Sequence, residues 1–479
     1  MAGGVAAGVA FPRDAREVAA LVASAGHVLP IGAQSSLTGG ATPRGELLIS
    51  TRALTAIGAP SNGTVRVGAG VPLVDLQRAL AAHGLYYPPV PTFEGAFVGG
   101  TIATNAAGAA TFKYGSTRPW VEALTLVLAD GAQIEVRRGE VAASADGSFE
   151  LTYPSGTSVR VPVPTYRMPD VPKLSAGYFA RPGMDLIDLF IGSEGTLGIV
   201  VQATLRVIAM PRRAIALATC DSERQALALA AALRREAALA RRGEGPLDVS
   251  AIEYMDERSL ASLPGEAFTR AGLARAAGTV VMLLVQFETA GDDTAAIERL
   301  ARVLEECGVR DDPCVAAPGD DRQAARLVEL REAVPAAINA RVAAAKAQVD
   351  AAIEKTAGDL IVPFDRLGDA LALYHAAFER RGLEYAIWGH LSDGNLHPNV
   401  IPRSMDDVHQ GRSALLEIAR GVMQMGGAPL AEHGVGRSPL KQQLLRELYG
   451  EGGLDEMRAV KRALDPGWKL APGVLFPEA

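Results

Sequence analysis

The stretch Trp388 to Asn399, WGHLSDGNLHPN, decides how the second half of this chain is read. An apolar run through Tyr385, Ala386, Ile387 and Trp388 leads into Gly389-His390, and Leu396-His397 leads out towards Val400 and Ile401. Asp-Gly between two apolar runs is a strong hairpin signal. With Asp393 and Gly394 as the two turn residues, Ser392 faces Asn395, Leu391 faces Leu396, and His390 faces His397. Directly opposed residues share a face with Cβ atoms about 5 Å apart, which suits two imidazoles gripping one metal ion. The plainer alternative is two polar residues flanking a turn. The chain holds 7 histidines in 479 residues, so a cross-strand pair is unexpected by chance.

Composition narrows the class. The length allows about two to four domains, each able to bury a core. Hydrophobic residues at 48% and charged residues at 21% describe a globular chain. A net charge of −7, with no basic cluster, argues against nucleic-acid binding. Cys220, Cys307 and Cys314 have no CxxC spacing and lie far from the histidines, as in a reduced, cytoplasmic protein. The opening MAGGVAAGVAFPRD lacks the basic n-region of a signal peptide. The longest apolar run, Thr279 to Phe287, is too short to span a bilayer. Peripheral membrane attachment stays open.

The 51 glycines are concentrated. Asp14, with Glu17 three residues on, caps a first helix that ends at Gly26. A short strand, His27 to Ile31, then runs into GAQSSLTGG, Gly32 to Gly40. A strand entering a Gly/Ser/Thr loop is a phosphate-cradle pattern, although this one is neither GxGxxG nor a P-loop. A helix over Leu73 to Ala82 precedes a second glycine-rich region, Pro88 to Trp120. The strand Val121 to Leu128 turns at Asp130-Gly131. A third glycine-rich turn, Gly192 to Gly198, also enters a strand.

In series, Pro30 to Gly40, Pro91 to Gly115 and Gly192 to Ile199 resemble the FAD-binding domain of the vanillyl-alcohol oxidase superfamily, the PCMH type. The resemblance implies FAD held by Pro30, Gly32, Ala33, Gln34, Ser35, Ser36, Leu37 and Thr38 around the pyrophosphate. It implies Pro91, Thr92, Gly99, Gly100, Thr101, Thr104, Asn105, Gly108, Tyr114 and Gly115 along the ribityl chain and isoalloxazine. Glu194, Gly198 and Ile199 would lie near the adenosine end. Some members bind flavin covalently through a His in the first loop. Ser35 and Ser36 stand here, with no His, so the FAD is expected to be non-covalent.

From about Met210 the glycine clusters give way to Ala-rich helical stretches, notably Ser222 to Arg242. Val280 to Glu288 reads as a buried strand, Leu327 to Ala344 as a helix carrying Arg331, and Val408 to Met423 as another helix. The alternation predicts an antiparallel sheet covered by helices on one side. Beyond Gly426-Gly427 comes AEHGVG, Ala431 to Gly436. Glu432 would complete a two-histidine, one-carboxylate set with His390 and His397, suited to Zn²⁺ or another divalent first-row ion. In an extended segment neighbours alternate, leaving His433 free as a base beside the metal.

GHLSDGNLH together with EHGVGR resembles the C-terminal domain of the FAD-linked 2-hydroxyacid dehydrogenases, the D-lactate dehydrogenase, glycolate oxidase and D-2-hydroxyglutarate dehydrogenase group. The implied architecture is α+β: a two-part FAD domain over 1–209, an antiparallel-sheet-plus-helices substrate domain over 210–434, and a segment over 435–479 returning to the flavin. Many relatives carry a longer leader before the first helix. Relatives also hold the substrate carboxylate with an Arg and a Lys. Arg331 fits the first, whereas Lys346 and Lys355 are both candidates for the second, and Asn399 or Asn395 is a further substrate contact. The expected reaction is removal of the hydroxyl proton by His433 and hydride transfer from C2 to flavin N5. Electrons then pass to an acceptor protein such as a cytochrome or electron-transfer flavoprotein, or to a quinone. A homodimer stays open. Two other readings compete: an FAD enzyme for another alcohol, phenol or sugar, and an electron-relaying flavoprotein subunit.

Overall fold

The computed structural model describes residues 3–273, 278–289 and 291–477. Asp14 caps the first helix, Ala15–Ser24, by accepting from the N–H groups of Arg16 and Glu17. The strand Val28–Ile31 then joins a three-stranded parallel sheet, with Leu47–Ser50 in the middle and Gly8–Ala10 beyond it. A second, antiparallel sheet runs in the order Thr64–Gly68, Ile199–Arg206, Val121–Val127, Gln133–Arg137. All three glycine-rich segments are thus joined to strands of these two sheets. The core between them contains Val28, Ile49, Leu73, Leu124 and Leu205, and it also takes Met457, Trp468, Leu470 and Phe476 from the end of the chain. The return is backbone-bonded as well: the Val28 N–H donates to the Lys469 carbonyl at 2.9 Å.

The second half is built on one eight-stranded antiparallel sheet. Its order is Cys314–Ala316, Arg213–Cys220, Val281–Glu288, Asp248–Asp256, Tyr385–His390, Asn395–Val400, Thr356–Ala357, with Leu360–Ile361 also paired to Asn395–Val400. Helices cover both of its faces, not one. Val281, Leu283, Val285 and Phe287 pack with Leu229, Leu233, Leu371 and Ile418. Met282 and Leu284, pointing the other way, pack with Leu327, Leu330, Val334 and Ile338 of the long helix Asp321–Gln348. The reason lies in the strand itself. Its first five residues, Val281 to Val285, are a continuous apolar run, and a sheet with one wet face would alternate instead.

The two halves are strapped together by Arg437, which is 2% exposed. Its guanidinium donates to Glu46, to the Thr42 carbonyl and, at 2.6 Å, to the Pro472 carbonyl. Its own backbone N–H reaches the Thr38 carbonyl at 3.0 Å. Arg437→Met leaves the buried Glu46 carboxylate uncompensated, which costs about 3–5 kcal/mol in pairs of this kind. A urea titration should read the loss as a lower midpoint at unchanged slope. A midpoint equal to the parent's would rule the strap out as a stabilising contact.

Candidate active site

The hairpin is present, with a longer turn than expected. Leu391–Asp393 forms one turn of 3₁₀ helix, and Gly394 closes it at φ +86°. A Cβ on Gly394 would lie 2.1 Å from the Val362 carbonyl oxygen, so the position admits no side chain. Four residues therefore separate the strands, and the register is His390 to Asn395 and Trp388 to His397. His390 does not face His397 directly, because the 3₁₀ turn adds two residues to the loop. The two are diagonal neighbours, and since an even shift preserves the face they still meet. Their ring centres are 5.6 Å apart.

Glu432 arrives from across the sheet's end. Its Oε1 lies 3.3 Å from His390 Nε2 and 3.3 Å from His397 Nε2. Donors held about 2.0–2.1 Å from one tetrahedral ion sit roughly 3.3–3.4 Å from one another. Both Glu432 distances match that span, and all three ligand atoms lie within 4.8 Å of one another. His433 does not turn away from its neighbour as an extended segment would require. The stretch is bent, and His433 stacks on His397 at 5.2 Å with Nε2 3.6 Å from Glu432 Oε1. Desolvation holds its imidazole down to about 4, against the pull of Asp359.

Three groups outside the expected set organise these four. Glu253, directly opposite His390 in the sheet, accepts from His390 Nδ1 at 2.5 Å. Carboxylates behind a ligating imidazole fix its tautomer and orientation. Burial works against the Glu253 charge, yet Arg331 and His390 bring its carboxyl to about 2. Burial likewise opposes a charged His390, and Glu253 overrides it, raising the imidazole to about 9. Asp359 accepts from the backbone N–H groups of Glu432 at 3.1 Å and His433 at 2.9 Å. It lies 3.4 Å from His433 Nδ1 and 3.9 Å from His397 Nδ1, so Asp359, His397 and His433 form a second group of potential ligands. Lys173, with no side-chain exposure, sits 2.6 Å from Glu432 Oε2 and 3.1 Å from Asp393 Oδ2.

A family model described as FAD linked oxidases, C-terminal domain, matches residues 210–475, and one described as FAD binding domain matches residues 6–137. The chain belongs to the FAD-linked oxidases. It is an FAD-dependent oxidoreductase of the 2-hydroxyacid dehydrogenase group. It is 30% identical to a D-2-hydroxyglutarate dehydrogenase of Xanthomonas citri, over 98% of this chain and 89% of the relative. It is 29% identical to a D-lactate dehydrogenase of Archaeoglobus fulgidus, over 97% and 90%. It is 28% identical to the glycolate oxidase subunit GlcD of Bacillus subtilis, over 98% and 88%. A solved alkyldihydroxyacetonephosphate synthase shares the fold, with TM-score 0.61 and 16% identity over 97% of this chain and 75% of that one.

The three glycine-rich segments bear the marks expected of ligand cradles. Gln34, Asn105 and Glu194, one in each glycine-rich segment, hold φ values of +55°, +47° and +50°, and such strain gathers at ligand clamps. Ser35, Ser36 and Leu37 are exposed, and a Cβ on Gly100 would meet nothing within 4 Å. Other expected contacts are already engaged by protein. Gly99 and Gly108 press on the backbone of Ala69 and Val90. The Tyr114 hydroxyl donates to Glu288 at 2.6 Å. Both Glu194 oxygens accept from the N–H groups of Val435 and Gly436.

The substrate candidates are dispersed. Arg331 commits Nε and Nη2 to Glu253 Oε2, at 2.7 and 2.6 Å. Lys346 is exposed in the last turn of its helix. Lys355 lies 5.3 Å from the centre of the Trp388 ring, and desolvation lowers its ammonium to about 8. Asn399 donates to the His397 carbonyl at 2.6 Å, while Asn395 donates to the Leu360 carbonyl at 2.9 Å. Glu253 was visible as a lone carboxylate inside the apolar strand Ile252 to Met255, whereas Lys173 had no local signal. Glu253→Gln removes the charge facing both Arg331 and His390. Loss of such an orienting partner is worth on the order of 10–100-fold in kcat/KM. Steady-state kinetics that match the parent enzyme would place His390 outside the reaction.

Proposed function

We propose that this chain oxidises a D-2-hydroxy acid, of the D-lactate, glycolate or D-2-hydroxyglutarate type, to the 2-oxo acid. The observation that carries the reading is the convergence of His390, His397 and Glu432 on one point, with His433 at its edge. A divalent metal ion, zinc by its donor set, would be held there and would supply a Lewis acid for the substrate hydroxyl. FAD, held non-covalently, supplies the two-electron acceptor for the C2 hydrogen. His433 takes the hydroxyl proton. Its depressed pKa of about 4 keeps it unprotonated, and so able to accept, throughout the neutral range. Arg331 holds Glu253 and through it the tilt of His390, which makes it a positioning group. Lys355 makes no ion pair among the described residues and is the cation left for the substrate carboxylate. Electrons leave to a cytochrome, an electron-transfer flavoprotein or a quinone. No helix among the described residues is long and apolar enough to cross a membrane.

The test is anaerobic. D-lactate, glycolate and D-2-hydroxyglutarate are mixed in turn with the yellow holoenzyme. Bleaching by at least one is expected, and it should vanish on chelation and return with added divalent ion. Bleaching that survives both chelation and His390→Ala would sink the metal role. No bleaching by any 2-hydroxy acid would sink the substrate class.

The proton acceptor has a separate signature. Protonating His433 removes the base, so kcat/KM falls as pH drops through its pKa. That acid limb should lie near pH 4 rather than at the ordinary histidine value of about 6.5. His433→Gln should lower kcat by about 10²–10⁴-fold and abolish the limb. An intact limb in the variant would assign the base elsewhere.

A further inference from the structure

Lys173 is an expensive residue where it stands. Its side chain has no exposure, and a buried ammonium persists only when paired and hydrogen-bonded. It satisfies that demand with Glu432 and Asp393. Asp393 lies in the turn that joins the strands of His390 and His397. Glu432 has two oxygens with different neighbours: Oε1 is 3.3 Å from two imidazole nitrogens, and Oε2 is 2.6 Å from Lys173.

The backbone beside Lys173 is tied to both halves of the molecule. The Leu174 carbonyl accepts from the Asn105 side chain at 3.3 Å, and Ser175 Oγ donates to the Thr104 carbonyl at 2.9 Å. Thr104 and Asn105 belong to the second FAD loop. The Ser175 N–H donates to the Leu430 carbonyl at 3.1 Å, two residues before Glu432. The chain from the FAD loop to the Glu432 carboxylate is therefore short and bonded at each step.

We propose that Lys173 is a positioning residue that restricts Glu432 to presenting one oxygen to the metal, and that lowers the affinity of the centre for that ion. The inference rests on the metal reading above. An ammonium beside a ligand carboxylate repels a divalent cation at the same carboxylate. It also withholds Oε2, which would otherwise be a second ligand oxygen filling a position needed by the substrate hydroxyl. Removing the ammonium has two effects of opposite sign: the ion is held more firmly, and the reaction slows. A lysine that only supported the fold would, on removal, loosen the ion and slow the reaction together.

The experiment compares FAD-loaded parent enzyme, Lys173→Met and Lys173→Arg after replacement of the bound metal by Co²⁺. Three quantities are read: Co²⁺ release to excess chelator, visible ligand-field absorption, and anaerobic flavin reduction by the substrate found above. For Lys173→Met, release should slow by about tenfold or more. The absorption should weaken as the coordination number rises, and flavin reduction should slow by about tenfold or more. Lys173→Arg keeps charge and donors and should fall near the parent on all three. If the Met variant does not fold, Lys173→Gln, which keeps a donor and loses the charge, should still slow release. Faster release, or release and absorption equal to the parent's, overturns the proposal. A parent enzyme that takes up no Co²⁺ overturns the metal reading and this proposal together, whereas uptake with no response to Lys173 substitution overturns this one alone.

Discussion

Four carboxylates held away from water set the terms for the half of the molecule built on the large sheet. Glu253, Asp359 and Asp393 are 3%, 3% and 1% exposed, and the Glu432 side chain is 8% exposed. Buried charges must be paired, or they neutralise. Arg331 answers Glu253, Lys173 answers Glu432 and Asp393, and Lys441 lies 3.4 Å from Asp359. Three fixed cations against four carboxylates leave one negative charge. The raised pKa of His390, about 9, comes from Glu253 facing its ring against the cost of burial, with Glu432 adding to it. The surplus charge is what a divalent cation would satisfy, and its arrival would expel the proton from the ring, because a ligating nitrogen must be free.

Such a cluster depends on the contact between the halves of the chain. Glu432 and His433 follow the strand-like passage that pairs with Asp359, and the next residues are fastened to the FAD domain. Glu194 takes the N–H groups of Val435 and Gly436, and Arg437 reaches Glu46. On the opposite side, Lys113 bridges to Asp248 at 2.5 Å and to Glu288 at 2.6 Å. A carboxylate that must sit within ångströms of two imidazoles is thereby fixed by contacts to the domain that carries FAD. Strain in the three glycine-rich segments is tolerated for the same reason: the surrounding contacts overdetermine it.

Legibility in the sequence followed the range of the interactions. The hairpin was readable because Asp393 and Gly394 act locally, but its register was not, since whether a turn holds two residues or four depends on Val362 packing against Gly394. The face of the histidines survived that error because side chains alternate with period two. The Asp14 cap was readable at three-residue range. The partners of the site were not, because Lys173 and Glu432 stand 259 residues apart and Glu253 and His390 stand 137 apart. The two-sided cover of the large sheet was implied by the apolar run Val281 to Val285, whose pattern outweighs the strand–helix alternation that pointed to a single layer.

The arginine shows that residue type alone leaves a side chain's partner open. A guanidinium is the natural partner for a substrate carboxylate, because it binds in two-toothed fashion. Here Glu253 has already claimed that geometry at 2.6–2.7 Å. Releasing Arg331 to a substrate would leave Glu253 buried beside His390 with its main cation gone, which costs about 3–5 kcal/mol in pairs of this kind. Lys355 carries no such obligation. It lies against Trp388, whose strand partner is His397, so it shares the sheet region of the histidines. Its ammonium is destabilised by burial, with no carboxylate paired to it among the described residues. Of the three candidate cations Arg331 is held by Glu253 and Lys346 is exposed, so under the proposed function an arriving carboxylate would gain most at Lys355.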